Sequence, residues 1–330
     1  MIQFTSSNGG PGKSAAHPTA AAARSRAGSG LSRLSDRLRA VVLLSGSVRR
    51  PPLVEATGRA VVDLPVTDES TILHEWVRAV GELAEAMGRA SLPLRMLVGG
   101  KVPPPRRLPR HPRVVLTVEG DSGDYRGTAG LLRDKTVAYD DADTVLVVSG
   151  GQLLLEPLSV LAGALAGQGG EANLLSHRDG LPVGAMLFTA ASLRGVPRVG
   201  YQDFKEQALP KIAEAYAVRV VELDEHVAAP VRTLSGYIEA LRIWHRVRAG
   251  QPEHGPFDED WRSTFSVVES GAAAGEGVMV HDAVVLSGAV LEPGAVLVRS
   301  VACDGARLGR GKRATDALVS GRGRPGKGGP

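Results

Sequence analysis

Apolar residues follow one beat through most of the chain and a different one near its end. Val41-Val42-Leu43-Leu44 is an unbroken apolar run with two β-branched members, and it stops at Ser45-Gly46-Ser47. A run bounded in this way predicts a buried parallel strand entering a tight turn. The turn delivers Arg49 and Arg50, and Pro51-Pro52 is expected to block an immediate helix. Ser70 then caps a helix whose Leu73, Trp76, Val77, Val80, Leu83 and Met87 share one face. Strands are predicted at 92–98, 114–118, 144–148, 172–176, 183–188 and 218–222, with a Pro- and Arg-rich loop over 101–112. Helices are predicted at 157–166, ended by Gly167, at 205–216, and at 234–247 behind a Thr233 cap, with Tyr237, Leu241 and Trp244 turned inward. Strands interleaved with helices of these lengths predict a mostly parallel α/β sheet.

After Trp261 the beat becomes six. Val278, Val284, Val290, Val296, Ala302 and Leu308 recur at that spacing, and Ala283, Ala289, Ala295 and Val301 keep it one position earlier. Turn residues fall between them at Ser287-Gly288, Pro293-Gly294 and Asp304-Gly305. This is the hexapeptide signature of a short parallel β-helix, with aliphatic side chains stacked inside and small ones at its corners. So short a winding has to pack against the first domain or another subunit, and Cys303 is expected to be a small structural residue within it.

Composition refines the outline. A chain of 330 residues has room for two domains. No window reaches the roughly 18–20 unbroken apolar residues of a membrane span, and the first residues lack the basic start and apolar core of a secretory signal, so a cytoplasmic protein is expected. One cysteine excludes an internal disulfide and a cysteine-clustered metal site. The net charge of +4 belongs to the ends: without 1–39 and 310–330, the remainder holds 27 basic and 33 acidic residues. Residues 1–39, rich in Ala, Ser, Gly and Arg without periodicity, are expected to be a disordered basic tail, and so are 311–330. With no aromatic beyond Phe4 for stacking, these tails give little reason to expect nucleic acid. Gly9-Gly10-Pro11-Gly12-Lys13-Ser14 imitates a phosphate-binding loop, but its first glycine would fall on Ser7 and no apolar helix follows. The organisation expected is a tail over 1–39, an α/β domain over 40–250, a linker over 251–265, a β-helix over 266–310 and a second tail.

In open α/β sheets ligands lie beyond the carboxyl ends of the strands. Small residues followed by two guanidinium groups at such an end, as in Ser45, Gly46, Arg49 and Arg50, suit a phosphate. Further along, Arg126-Gly127-Thr128-Ala129-Gly130-Leu131-Leu132 permits close backbone approach to a flat ligand and leaves one hydroxyl for a hydrogen bond. Asp203-Phe204-Lys205-Glu206-Gln207-Ala208-Leu209-Pro210 is a charged helical start. With Leu64-Pro65-Val66, these segments in this order, followed by hexapeptide repeats, resemble the sugar-phosphate nucleotidyltransferases, enzymes that make ADP-glucose, GDP-mannose and UDP-N-acetylglucosamine. The resemblance covers roughly residues 40–310. It implies a Rossmann-like sheet with a C-terminal left-handed parallel β-helix. It also implies that Ser45, Gly46, Arg49, Arg50 and Gly127, Thr128, Ala129, Gly130 contact a nucleotide, and that Gly184, Lys205 and Glu206 contact a sugar phosphate.

The chain departs from that family where the chemistry would be done. The family's Gly-Gly-x-Gly-Thr-Arg loop is about two residues shorter here and keeps only Gly46. The lysine that neutralises phosphate charge corresponds to Val61, and Arg59 is the nearest cation. The two acids that hold Mg²⁺ correspond to Gly151 and Pro230, the sugar-binding Asn-Ala-Gly to Val183-Gly184-Ala185, and a Glu-Lys pair to Lys205-Glu206. Asp121 and Asp124 are the best-placed substitute acids, while Asp140, Asp141 and Asp143 lie at the wrong end of their strand, and His177-Arg178-Asp179 reads as a surface turn. Nucleotidyl transfer depends on positioning and on neutralising charge with Mg²⁺ and cations. The resemblance therefore implies a nucleotidyltransferase-like protein with impaired catalysis. It would need no cofactor, bind a nucleotide or nucleotide sugar, and act as a regulatory or scaffold subunit, either as a homo-oligomer or beside an active paralogue. The alternative is an active sugar-1-phosphate nucleotidyltransferase with relocated Mg²⁺ ligands.

Overall fold

A computed structural model describes residues 20–45, 51–99, 103–120, 127–197, 204–223, 227–250 and 263–321. In chain order the first part comprises α1 (Ala20–Ser35), β1 (Leu38–Ser45), α2 (Pro52–Thr57), α3 (Ile72–Ala86), β2 (Leu92–Val98), β3 (Val114–Gly120), α4 (Gly127–Thr136), β4 (Thr144–Ser149) and β5 (Gln152–Leu154). It continues with α5 (Leu158–Gly167), β6 (Ala172–His177), β7 (Pro182–Thr189), α6 (Ala190–Arg194), α7 (Leu209–Ala215), β8 (Val218–Leu223), β9 (Ala228–Pro230) and α8 (Leu234–Arg248). Among the described residues no helix is long and apolar enough to cross a membrane.

Seven strands form one sheet in the order β3-β2-β1-β4-β7-β6-β8. The sheet is mostly parallel, as expected, with one exception: β7 runs antiparallel to both neighbours, while the remaining pairings are parallel. A four-residue link carries β6 into β7 as a hairpin, and so short a link can only reverse the chain. One face is covered by α3, α5 and α8, in a core that includes Trp76, Leu83, Leu161 and Tyr237. The other is covered by α4, α6 and α7, through Ala129, Leu132, Leu193 and Ile212.

Local chemistry corrects several expectations. Pro52 opens α2 instead of preventing it, because a proline at the first helical position gives up an N–H that no helix bond would use. The cap of α3 is Thr71, whose side chain and that of His74 satisfy each other's backbone N–H groups in a capping box. Residues 20–35, read as part of a tail, form α1, and Leu34 is buried in the core. A β-carbon on Gly30 would come 2.1 Å from the Gly163 carbonyl oxygen and 2.8 Å from Gly167 nitrogen, so α1 and α5 pack backbone to backbone. Absent periodicity hid this helix, since contact through glycine needs no apolar stripe.

The second part is a set of short strands, β10 (Ser266–Val268), β11 (Ala273–Ala274), β12 (Met279–His281), β13 (Ala283–Val285), β14 (Val290–Leu291), β15 (Val296–Val298), β16 (Val301–Ala302), β17 (Arg307–Leu308), β18 (Arg313–Thr315) and β19 (Leu318–Val319). They fall into three parallel sheets, β10-β13-β16-β19, β11-β14-β17 and β12-β15-β18. Partners are 17 residues apart in each, as in Val267 with Val284, Val284 with Val301, and Val301 with Leu318. The strands run past residue 310, where the second tail was expected to begin.

The six-residue beat is accordingly broken once per circuit. The enclosed aliphatic positions are Val285, Leu291, Leu297, Ala302 and Leu308, lined with Ala283, Ala289, Ala295 and Ala306. Val290 and Val296, expected inside, are half-buried, and Val284 faces the α/β domain. Three corners turn each circuit, and each needs a left-handed residue. Gly271, Gly288 and Gly305 serve one corner, Gly277, Gly294 and Gly311 the second. Asp282, Arg299 and Asp316 hold the third at φ 46°, 43° and 51°.

The face formed by Val267, Val284, Leu286, Val301 and Cys303 merges with the core of the α/β domain. At ~1.5–3 kcal/mol for each buried aliphatic side chain, this contact supplies on the order of 10 kcal/mol before entropy is charged against it. Burial pushes the Cys303 thiol up to about 11, so it stays protonated and packs as a small apolar group. At the same junction, Asp282 accepts from the Thr264 N–H at 2.6 Å and the Phe265 N–H at 3.1 Å, and pairs with Arg242 of α8 at 3.2 Å.

Candidate functional site

The order of the sheet itself locates a crevice. From β1 the chain passes through α3 on one face and returns as β2. From β3 it passes through α4 on the opposite face and returns as β4. The connections therefore diverge between β1 and β4, and ligands of open α/β sheets sit at such a divergence, beyond the carboxyl ends.

The residues at these ends are tightly placed. Ser45 is buried at the end of β1, and its carbonyl accepts from the Gly99 N–H at 3.2 Å. Gly150 donates to the Leu44 carbonyl at 2.9 Å. A β-carbon there would lie 2.8 Å from Val62 Cγ1 and 3.1 Å from that carbonyl oxygen, so close approach explains the glycine. Because β7 is antiparallel, its start lies beside the end of β4: Ala185 pairs with Val148. Gly184 is thereby set against β4 and β5, at a φ of 81°. A side chain there would meet Ser149 Cβ at 3.0 Å and Gln152 Cγ at 3.2 Å.

The two positions matching the family's metal acids do converge. Val231 donates to the Gly151 carbonyl at 2.8 Å, and Gln152 pairs with Pro230 where β5 meets β9. Neither position bears a carboxylate. Mg²⁺ is a hard ion that takes oxygen ligands, chiefly carboxylates, and the residues at this junction do not fit it. Nor do the described residues contain a group of three or more His, Cys, Asp or Glu able to hold a metal. Crowding is not the cause. A β-carbon on Gly151 would find Val231 O at 3.7 Å and Ser149 Oγ at 3.9 Å, both ordinary contacts.

The cation closest in sequence to Val61 is committed elsewhere. Arg59 is buried, and its two terminal nitrogens each donate to one oxygen of Glu269 at 2.7 Å. Burial works to raise the Glu269 pKa, but the hydrogen bonds from Arg59 and from the Ser287 N–H outweigh it and hold the carboxyl below its usual range. Arg59 thus stitches the two parts of the chain together and is not positioned as a replacement for the missing lysine. The acids before β4 are also occupied: Asp143 pairs with Arg39 at 2.8 Å and Asp141 with Arg194 at 2.6 Å.

The other expected contacts divide. Gly127, Ala129 and Gly130 are buried at the start of α4, and Thr128 is half-buried. Gly127 adopts φ 67°, which explains its glycine, while Ala129 belongs to the core with Val42, Leu97 and Val147 and so packs instead of facing a ligand. Lys205 and Glu206 lie in a π-helical turn, Phe204–Ala208, that precedes α7, where Phe204 meets Phe188 edge to face at 5.2 Å. The side chains of Lys205 and Glu206, together with Gly46, Arg49, Arg50, Asp121 and Asp124, lie outside the described residues. His177 ends β6, and its N–H donates to Leu181 across the β6–β7 turn.

Sequence reasoning missed Gln152. Trp76 of α3 donates to its carbonyl at 3.2 Å, its side chain is 4% exposed, and Oε1 has no partner among the described residues. A polar residue next to the glycine that replaces an expected acid was the available signal. Two concave surfaces lie away from this crevice. One, of about 570 Å³, is the open first circuit near Val278 and Met279, and the other, of about 470 Å³, is a groove between α8 and Arg299.

The fold and crevice define a mixed α/β domain joined to a run of short parallel strands. No protein-family model matches the chain, and no curated protein does. Among the solved structures that match is a chain assigned as a glucose-1-phosphate thymidylyltransferase from Bacillus anthracis, solved in complex with sucrose. It is 12% identical, with a TM-score of 0.45, over 63% of this chain and 95% of that one. Identity and superposition this low leave the chemistry to be read from this chain's own residues.

Proposed function

We propose that this is a nucleotidyltransferase-like protein of nucleotide-sugar metabolism. It binds a nucleotide or nucleotide sugar beyond the carboxyl ends of β1 and β4 and has lost most or all catalytic power. The second part of the chain is read as a short left-handed parallel β-helix that braces the crevice from one side. The observation that carries the reading is the meeting of Gly151 with Val231 and Pro230: the backbone still brings together two positions suited to a metal pair, and neither has an acid. Each missing charge-stabilising group is worth several kcal/mol in a phosphoryl-type transition state, so transfer slows by several powers of ten. What the residues keep is suited to holding a ligand. Gly150 and Gly184 let the strand ends close up against their neighbours, and neutral polar groups stand at Ser45, Ser149 and Gln152. A regulatory or scaffold role beside an active relative follows from that combination.

The test is twofold. Purified protein is titrated calorimetrically with nucleotides and nucleotide sugars, and separately incubated with Mg²⁺, nucleoside triphosphates and sugar phosphates while pyrophosphate is measured. Binding without pyrophosphate release supports the proposal, and silence across the binding panel defeats it. Pyrophosphate release abolished by Asp121→Ala or Asp124→Ala would establish the alternative, an active transferase with relocated ligands.

A further inference from the structure

We propose that the outer edge of β3 is an interface at which two copies of this chain join their sheets, antiparallel and about a two-fold axis at Leu116. β3 closes one end of the seven-stranded sheet and pairs only with β2. The Leu92 N–H donates to the Arg113 carbonyl, so residues 113, 115, 117 and 119 turn their backbone groups toward β2. By alternation Leu116, Val118 and Gly120 turn theirs outward, where no described strand pairs with them. Neither covering helix overhangs this edge. Val118, on the same face as Val114 and Leu116, is 38% exposed, and Val115, on the other face, is 54% exposed. A β-carbon on Gly120 would meet nothing within 4 Å.

Sheet edges that stay in water are guarded by exposed charges, prolines or bulges. The opposite edge, β8, is guarded in this way by exposed Arg219 and Glu222. β3 has neither proline nor bulge, and its one charge, Glu119, is folded back onto Arg95 at 2.7 Å and Lys135 at 2.6 Å. The order of residues in the strand favours a second copy over a foreign strand. Antiparallel pairing centred on Leu116 sets Val114 against Val118, Val115 against Thr117 and Leu116 against itself, so aliphatic or β-branched side chains meet on both faces. The same register sets Arg113 across from Glu119 of the other copy at both ends, and it puts no like charges directly opposite each other. Arg113 can turn to this role, since its guanidinium is held only by the exposed Glu85, at 3.7 Å. A join from β3 to β8 of the next copy would propagate without end, whereas the two-fold join closes on itself.

Sedimentation velocity of the full chain across micromolar concentrations is the test, and a species of twice the chain's mass is expected. Val118→Pro removes an N–H that faces outward, so the ladder to β2 is untouched while two bonds across the axis are lost. Their loss raises the dissociation constant about thirtyfold. Thr117→Lys, which adds a charge to the exposed face without touching the backbone, also weakens the dimer and serves if the proline variant does not fold. Register is read with cysteines. Val115 faces Thr117 of the other copy in a pair whose Cα atoms are about 4.5 Å apart, close enough for a disulfide. An oxidised mixture of the Val115→Cys and Thr117→Cys proteins therefore crosslinks, while neither protein does so alone. A monomer at every concentration overturns the proposal, as does a dimer that both interface variants leave intact. Mass that keeps rising with concentration overturns the closed two-fold join, and a mixture that stays uncrosslinked overturns the register. None of these results bears on the proposed binding crevice, which is tested separately.

Discussion

Arg59 and Glu269 are 210 residues apart in the chain and meet through two 2.7 Å hydrogen bonds, arranged as a fork on a fork. Both side chains are largely shielded, so the pair depends on each partner to compensate the other's buried charge. Glu269→Ala, which strands the guanidinium, is expected to destabilise the protein by ~3–5 kcal/mol, whereas Arg59→Met with Glu269→Leu costs far less. Urea unfolding of the two variants checks this. Equal losses would mean that the pair itself, and not the stranded charge, carries the effect.

Space at Gly151 makes a gain-of-function test possible. Gly151→Asp is expected to fold with a change in stability of about 1 kcal/mol or less, since its β-carbon meets only ordinary contacts. Combined with Pro230→Asp it should create a divalent-ion site at this junction, read by paramagnetic resonance of Mn²⁺ titrated into each protein. A double variant that binds no more Mn²⁺ than the wild type would show that the two positions do not face a common point.

Gly184→Ala strains a backbone at φ 81° and pushes against Ser149 and Gln152. A loss of ~1–2 kcal/mol in stability is expected, together with weaker binding of any nucleotide sugar. A thermal melt and a calorimetric titration measure the two effects. A variant as stable as the wild type would argue against the tight notch.

Acid should loosen the junction between the two parts. His245 stacks on Phe265 at 5.4 Å and shares a 2.8 Å hydrogen bond with the Val66 carbonyl. Burial lowers its pKa, and the Val66 carbonyl, Asp282 and Asp68 only partly oppose this. The unfolded histidine, with its ordinary pKa near 6.5, therefore takes up a proton first as pH falls, and protonation favours unfolding. Stability is expected to decline from about pH 7 to pH 5, and the decline should be shallower in His245→Gln. His74, also lowered by burial, contributes equally to both proteins and drops out of the comparison. Below this range, Glu119 loses its contribution between about 4.5 and about 2. Burial raises its pKa, but the hydrogen bonds from Arg95 and Lys135 more than offset that and hold it at about 2.

Most strands were legible because an apolar run such as 41–44 can be satisfied only inside a sheet. The six-residue beat was legible too, but its meaning was displaced. Val290 and Leu291 are both aliphatic, so composition alone could not say which of the two turns inward, and a circuit of 17 leaves no strict sixfold count. The helix at 20–35 was invisible because its contact with α5 is made by glycine. Gln152 was overlooked for a different reason. Burial and an unpartnered oxygen depend on what the fold places around a residue, and a lone glutamine in sequence carries neither. The commitment of Arg59 to Glu269 could not be read either, since nothing local links residues so distant.

The corner residues Asp282, Arg299 and Asp316 mark off equal storeys, and Arg299 is tied to Asp316 on the next by two 2.8 Å bonds. Such a column can grow or shrink only by whole storeys. An insertion of 17 residues after Val298 would duplicate every inward position and add a floor, while one of 16 or 18 would turn the lining of each later floor toward the outside.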